Sequence, residues 1–313
     1  MRHVEYFKDF LDNEVNLNET RLKRLNDSVS AVNEFLRNNL DSYKKIERQG
    51  SYALRTIIKP INNREYDADI LLFVKYDPDK EPKDYINELY NCLKDNKTYK
   101  DKVHRKTRCV YIDYVGDFHL DIVPCITYGA DQYICNNKEN VFEITDGTGY
   151  RDWFNDKTRI TNGNLKRVTR LLKYLRDHKG NFSVKSILLT TLIGNEVYDY
   201  EKGSENFKSI PDTLKTISNR INNFLQRNRL MPKICNPVLP SESFTRHWDQ
   251  DKYSHFRKMF NIYNDKVNEA FDATDHNTSV KKWRELFGEN FGELKENTAS
   301  VAAVLTPRKP YAK

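Results

Sequence analysis

Two aspartates one residue apart, Asp67 and Asp69, stand at the head of an apolar run from Leu71 to Val74. On an extended strand alternate side chains point to one face, so the two carboxylates share a face while Ala68 and Ile70 take the other. Like charges this close repel, and a divalent cation between them is the usual physical reason to keep them together. A third carboxylate, Asp121, lies in the run FHLDIVPCI, with His119 and Val123 on its face and Leu120 and Ile122 beside it. A carboxylate among apolar neighbours is costly to ionise, and a metal shared with Asp67 and Asp69 would remove that cost. Three carboxylates on adjacent strands suit two-metal phosphoryl transfer. One ion lowers the pKa of an attacking hydroxyl, and the other holds a triphosphate and the departing pyrophosphate.

Upstream, Gly50-Ser51 offers a glycine that lets backbone approach an anion and a hydroxyl that can donate to phosphate oxygens. Alone, a D-x-D or a Gly-Ser turn says little. A Gly-Ser turn, then D-x-D, then an Asp in an L-D-I-V-P setting, in that order, is specific. The stretch from Ser42 to Leu192, and more loosely the chain to residue 273, resembles the cyclic GMP-AMP synthase and DncV-like nucleotidyltransferases, relatives of the oligoadenylate synthases.

The resemblance implies Asp67, Asp69 and Asp121 as ligands of two Mg²⁺ ions, or Mn²⁺ in their place, and Gly50 and Ser51 as the phosphate-binding pair. It also singles out Lys173, in LLKYL, as a contact to the triphosphate, assisted by Ser186, with Ser183 close enough to compete. The other cations of that helix, Lys166, Arg167, Arg170 and Arg176, read as a solvated face. Arg55 departs from the pattern, since many members carry glycine there. The implied activity is template-independent joining of NTPs into a cyclic or short linear oligonucleotide second messenger. Such enzymes serve bacterial anti-phage signalling, where the product rather than the enzyme reaches the effector. The same three-carboxylate site also serves transferases that act on RNA ends or other acceptors. A sensor that only binds has no need to hold repelling carboxylates together.

The elements that must position these groups follow from periodicity. Leu22, Leu25, Val29, Val32, Phe35 and Leu36 mark a helix over 18–39, opened by Asn18. Stretches near 67–75, 103–115 and 118–127 read as strands, with a helix over 83–95 between them. Beyond Gly163 helical patterns recur at 164–178, 184–198, 212–229, 252–272 and 279–287. The expected fold is α+β: a polymerase-β-like nucleotidyltransferase lobe with a mixed twisted sheet over 1–160, including the long N-terminal helix. A helical lobe over 161–297 packs against it with the active site in the cleft, and a flexible tail covers 298–313.

Composition narrows the rest. The chain has 313 residues, enough for a bilobal unit, and 31% of them are charged without a long single-sign block. A net charge of +7 favours an anionic ligand only mildly. Five cysteines without C-x-x-C spacing argue against structural zinc and for reduced thiols, hence a cytoplasmic protein. No apolar run is long enough to cross a membrane. The zinc-bearing insertion with which the DNA-sensing relative grips duplex DNA has no counterpart, so duplex binding is not expected. His119 reads as a strand-face residue, and no other histidine has metal spacing.

Overall fold

The computed structural model describes residues 1–61 and 65–296, so the tail expected over 298–313 lies outside the described residues. The chain opens with α1 (Val4–Phe10), which widens into a π-helical turn over Leu11–Val15. The long helix α2 (Glu19–Asn39) starts at Asn18, whose side-chain oxygen accepts from the Arg21 N–H at 2.8 Å. Then follow β1 (Tyr43–Gln49), α3 (Gly50–Leu54), β2 (Tyr66–Val74), α4 (Pro82–Lys94), β3 (Val103–Arg105), β4 (Val110–Tyr114), β5 (Phe118–Tyr128), β6 (Asp131–Asn136) and β7 (Val141–Thr145). The rest is mostly helical: α5 (Gly147–Ile160), α6 (Asn164–Lys179), α7 (Ser186–Asn195), α8 (Ile210–Arg227), a small hairpin of β8 (Cys235–Asn236) and β9 (Leu239–Ser243), α9 (Gln250–Asp272) and α10 (His276–Phe287).

The seven strands β1 to β7 form one mixed sheet. Its order is β1-β2-β5-β4-β3, with β6 paired to the second half of β5 and β7 outside β6. Strands β2 and β5 run parallel, and the other pairs are antiparallel. The alternation of β2 decides what its faces do. Ala68, Ile70, Leu72 and Val74 are buried against α2 and α4, through Leu25, Val32, Leu36, Ile86 and Leu89. On the opposite face Leu71 and Phe73 make a small cluster with Cys125. Asp67 and Asp69 share that second face, toward which α2 and α4 do not pack.

The second core is helical, but it does not follow chain order. Phe7, Phe10, Leu11 and Val15 from the N-terminus, and Tyr150 and Phe154 from α5, pack with α6 to α10. Phe7 stands edge-on to Trp283 at 4.9 Å between ring centroids. The long helix α2 buries its stripe in the sheet core instead. Between the two cores sits α3, which sends Tyr52 into the first and Leu54 into the second.

Several elements have no clear mark in the sequence. Strand β1 reads YKKIERQ and keeps several charged side chains exposed, so it lacks apolar alternation. Helix α5 begins Gly-Thr-Gly, a turn-like sequence, yet Asp146 caps it by accepting from the Gly149 N–H at 2.7 Å. At Gly147 the end of the Gln49 side chain lies close over the backbone, 2.3 Å from where a Cβ would stand, so a larger residue there would have to move that amide. The stretch 103–115 is two strands around a turn rather than one.

Helix α3 ends at Arg55, whose backbone is left-handed (φ 56°, ψ 43°) with an exposed side chain. This explains why glycine suits the position: a Cβ costs about 1–2 kcal/mol in that conformation. Arg55→Gly should therefore raise unfolding stability by about 0.5–1 kcal/mol, the strain relieved less the entropy a glycine adds to the unfolded chain. Urea unfolding measures this, and a loss of stability would show that the turn carries no such strain.

Candidate active site

The parallel register of β2 and β5 sets Asp69 directly opposite Asp121, and Asp67 opposite His119. All three aspartates line one cleft of about 1130 Å³. Asp67 is mostly exposed, with 68% of its side chain accessible, whereas Asp121 keeps only 15%. The Asp69 carboxyl is pushed up to about 7 by burial first, then by the charges of Asp121 and Asp67, with Lys106 and Lys173 pulling the other way.

Gly50 has a positive φ of 55°, and a Cβ built on it would lie 2.8 Å from the Asp69 Oδ2. The anion that Gly50 admits at close range is thus this chain's own carboxylate. Ser51, the next residue, lines the cleft on the same short helix.

A cation the sequence reading overlooked sits on Asp121. Lys106, in the turn after β3, places its Nζ 2.9 and 3.0 Å from the two Asp121 oxygens and packs over the Tyr111 ring at 4.4 Å. Burial pulls its ammonium down, but the hydrogen bond and charge of Asp121 outweigh that and hold it above the ordinary lysine value. Nothing in the local sequence marks this lysine. The β4–β5 pairing, with Tyr111 opposite Asp121, brings it into place.

His119 is also more than a strand-face residue. Its Nε2 is 2.9 Å from Glu65 and 3.6 Å from Asp113, and its Nδ1 is 3.4 Å from Asp67. Ligand atoms of Glu65, Asp113 and His119 lie within 4.8 Å of one another, close enough to hold an ion. The three residues are too scattered in sequence to show metal spacing.

On the other side of the cleft, Lys173 is 4% exposed and donates to the Thr56 carbonyl at 3.0 Å and the Thr56 hydroxyl at 3.3 Å. It therefore ties α6 to the segment just after α3. Burial, then the neighbouring Arg176, pulls its ammonium down to about 7, against Asp177 and Asp69. The expected solvated face of α6 is largely absent: Lys166, Arg170 and Arg176 are partly buried and only Arg167 is exposed. Arg176 lines the cleft and donates to the Ser186 hydroxyl at 3.1 Å and the Val184 carbonyl at 3.0 Å. Ser186 opens α7 and lines the cleft, as does the exposed Ser183.

The sequence model of the Second Messenger Oligonucleotide or Dinucleotide Synthetase domain matches residues 1–158. The chain belongs to this synthetase family. A c-di-GMP synthase from Roseivirga ehrenbergii is 29% identical over 281 residues, covering 78% of this chain and 73% of that protein. CdnC of Escherichia coli, solved with ATP, superposes with a TM-score of 0.73 at 19% identity, covering 93% of this chain and 99% of CdnC. DncV of Vibrio cholerae, in a 3'-deoxy GTP-bound form, gives 0.74 at 14% identity over 93% and 96% of the two chains. The fold is thus the polymerase-β-like nucleotidyltransferase fold, and the chain is a nucleotidyltransferase that synthesises an oligonucleotide second messenger. Nucleotidyltransferases of this family use divalent metal. Asp67, Asp69 and Asp121 offer hard oxygen donors of the kind such an ion takes, with their charge balanced only in part by Lys106, while among the described residues it is Glu65, Asp113 and His119 whose ligand atoms lie within 4.8 Å of one another.

Two outcomes follow from this charge layout. If Lys106 occupies Asp121 in place of a divalent ion, Lys106→Gln should tighten Mn²⁺ binding to the nucleotide-free synthetase by about tenfold, roughly one pKa unit of charge contact. In an Asp121→Asn background the same change should do nothing. Calorimetric titration of the four proteins decides it, and equal gains in both backgrounds would mean only a diffuse charge effect.

Lys173, mostly neutral above pH 7, should take up a proton when a polyanion settles against it, because the anion raises its pKa. At pH 8, binding of a non-hydrolysable NTP should be coupled to uptake of up to about one proton. This is read from calorimetry in buffers of different ionisation enthalpy. Lys173→Met should abolish the uptake, and an unchanged value would remove Lys173 from the triphosphate.

Proposed function

We propose that the synthetase joins nucleoside triphosphates into a cyclic oligonucleotide, with Asp67, Asp69 and Asp121 holding two Mg²⁺ ions. The observation that carries this reading is the opposition of Asp69 and Asp121 on neighbouring parallel strands, in one cleft with the Gly50-Ser51 helix and Lys173. A cyclic product also agrees with the c-di-GMP synthase of Roseivirga ehrenbergii.

In this reading residues 1–160 supply the nucleotidyltransferase lobe and 161–297 the helical lobe, with Phe7 to Val15 packing across into the second. Bound at the carboxylates, the metal would lower the pKa of the attacking hydroxyl and screen the triphosphate. Gly50 leaves room for Asp69 to turn its oxygens into the cleft. Ser51 donates its hydroxyl to the donor triphosphate, a bond worth about 1.5–3 kcal/mol when the acceptor is charged. Lys173 brings positive charge from the helical side, and Arg176 keeps the Ser186 hydroxyl turned toward the cleft. The substrates are NTPs, and the product carries the signal to a separate effector in an anti-phage response. Five free cysteines fit a reducing, cytoplasmic setting, and no helix among the described residues is long and apolar enough to cross a membrane.

The test is incubation with all four NTPs and Mg²⁺, then mass spectrometry of the phosphatase-resistant products. A cyclic species lacking terminal phosphates is expected, without any added acceptor. Asp121→Asn should reduce its formation by about a thousandfold or more, the scale on which a lost metal ligand acts. Labelling only of added RNA ends, or near-normal turnover by Asp121→Asn, would overturn the reading.

A further inference from the structure

The cleft is not uniformly cationic. The hairpin β8–β9, carried between α8 and α9, brings Glu242 into it. The Glu242 carboxylate is partly buried and has neutral partners. Asn236 donates from Nδ2 at 2.8 Å and Thr145 donates its hydroxyl at 3.4 Å. Burial pushes its pKa up, while these hydrogen bonds and the charge of Arg246 pull it back. The partners are themselves anchored. Asn236 is 1% exposed with its Oδ1 taken by the Val238 N–H at 3.1 Å, and Thr145 closes strand β7.

A half-desolvated carboxylate in the cleft of an enzyme whose substrates are polyanions needs a physical reason. It repels phosphate, and the nearby charge of Arg246 does not cancel the effect of its burial, so it favours a ligand group rich in hydrogen-bond donors. A carboxylate can accept about four hydrogen bonds, and the named partners leave capacity on it. Among nucleobases, guanine alone sets two donors side by side on its Watson–Crick edge, N1–H and the N2 amine, and these match two carboxylate oxygens. Adenine turns the lone pair of its N1 toward the same acceptor, and uracil flanks its single N–H with carbonyl oxygens. Phe244 and Tyr150, both largely buried, lie edge to face at 5.9 Å in the wall of the cleft.

We propose that Glu242 is a base-specificity residue of this synthetase, accepting two hydrogen bonds from guanine, with Asn236 and Thr145 as positioning residues. The proposal rests on the cleft being the nucleotide site described above, and it names guanine nucleotides as a substrate class.

The experiment compares binding of the α,β-methylene analogues of GTP, ITP and ATP to the full chain in Mg²⁺. The wild type should bind them in that order, because inosine keeps N1–H but lacks the N2 amine and adenine lacks both. The gap between the first and last should be about tenfold to a hundredfold, the scale of a bidentate base contact. Glu242→Gln should weaken the GTP analogue by about that factor and leave the ATP analogue within about twofold, which also shows that the variant folds. The proposal fails if the wild type shows no preference for the GTP analogue, if it binds the ITP and GTP analogues equally, or if the variant keeps the full gap. Product formation from NTPs is scored separately. A synthetase that turns over without base preference sinks this proposal alone, and one that shows the binding order without making product sinks only the proposed activity.

Discussion

Two carboxylates held opposite each other on neighbouring parallel strands are the constraint around which this synthetase is built. Strands β2 and β5 cannot slip by one residue without turning their apolar sets away from α2 and α4, so burial on one face fixes the acidic pair on the other. The repulsion between Asp69 and Asp121 is small against the cost of exposing that core, and the fold therefore keeps it. Around the pair the structure supplies partial compensation. Gly50 gives up its side chain to make room for Asp69, and Lys106 closes on both oxygens of Asp121. Such a site is poised for a cation because the protein holds the ligands in place at its own expense.

The second organising feature is the junction between the two cores. Helix α3 has only five residues, yet it anchors one aromatic ring in the sheet core and one leucine in the helical core. Lys173 then reaches from α6 to Thr56, just beyond α3. A ligand that reached Lys173 would do so at a residue that already ties α6 to this segment, through the third donor its ammonium keeps. The crossing of Phe7 to Val15 into the helical core means that the two halves also share covalent and packing connections near the N-terminus.

Charge in the cleft is mixed on every side. Lys173 and Arg176 face it from α6, Asp67, Asp69 and Asp121 from the sheet with Lys106 and Arg108 beside them, and Glu242 from the hairpin with Arg246 close after it.

The sequence by itself determined a good deal. The period of two across Asp67 and Asp69 placed them on one face, the stripe of α2 and its Asn18 cap marked the longest early helix, and the order of the three aspartates carried the family resemblance. These signals are local, or depend only on order along the chain. What the tertiary structure decided was which distant residues meet. Lys106 finds Asp121 because β4 pairs with β5, and His119 finds Glu65 through the register of β2 with β5. Gly50 faces a carboxylate nineteen positions on, which made its role look like phosphate contact alone. The charged strand β1 and the glycine-led helix α5 have sequences that contradict their structure, and only pairing and packing override that preference. Arg176 and Lys173 sit three residues apart on α6, with nothing in their types to separate them. Which one reaches Thr56 and which one holds Ser186 depends on where the next helix lies, and no local pattern records that.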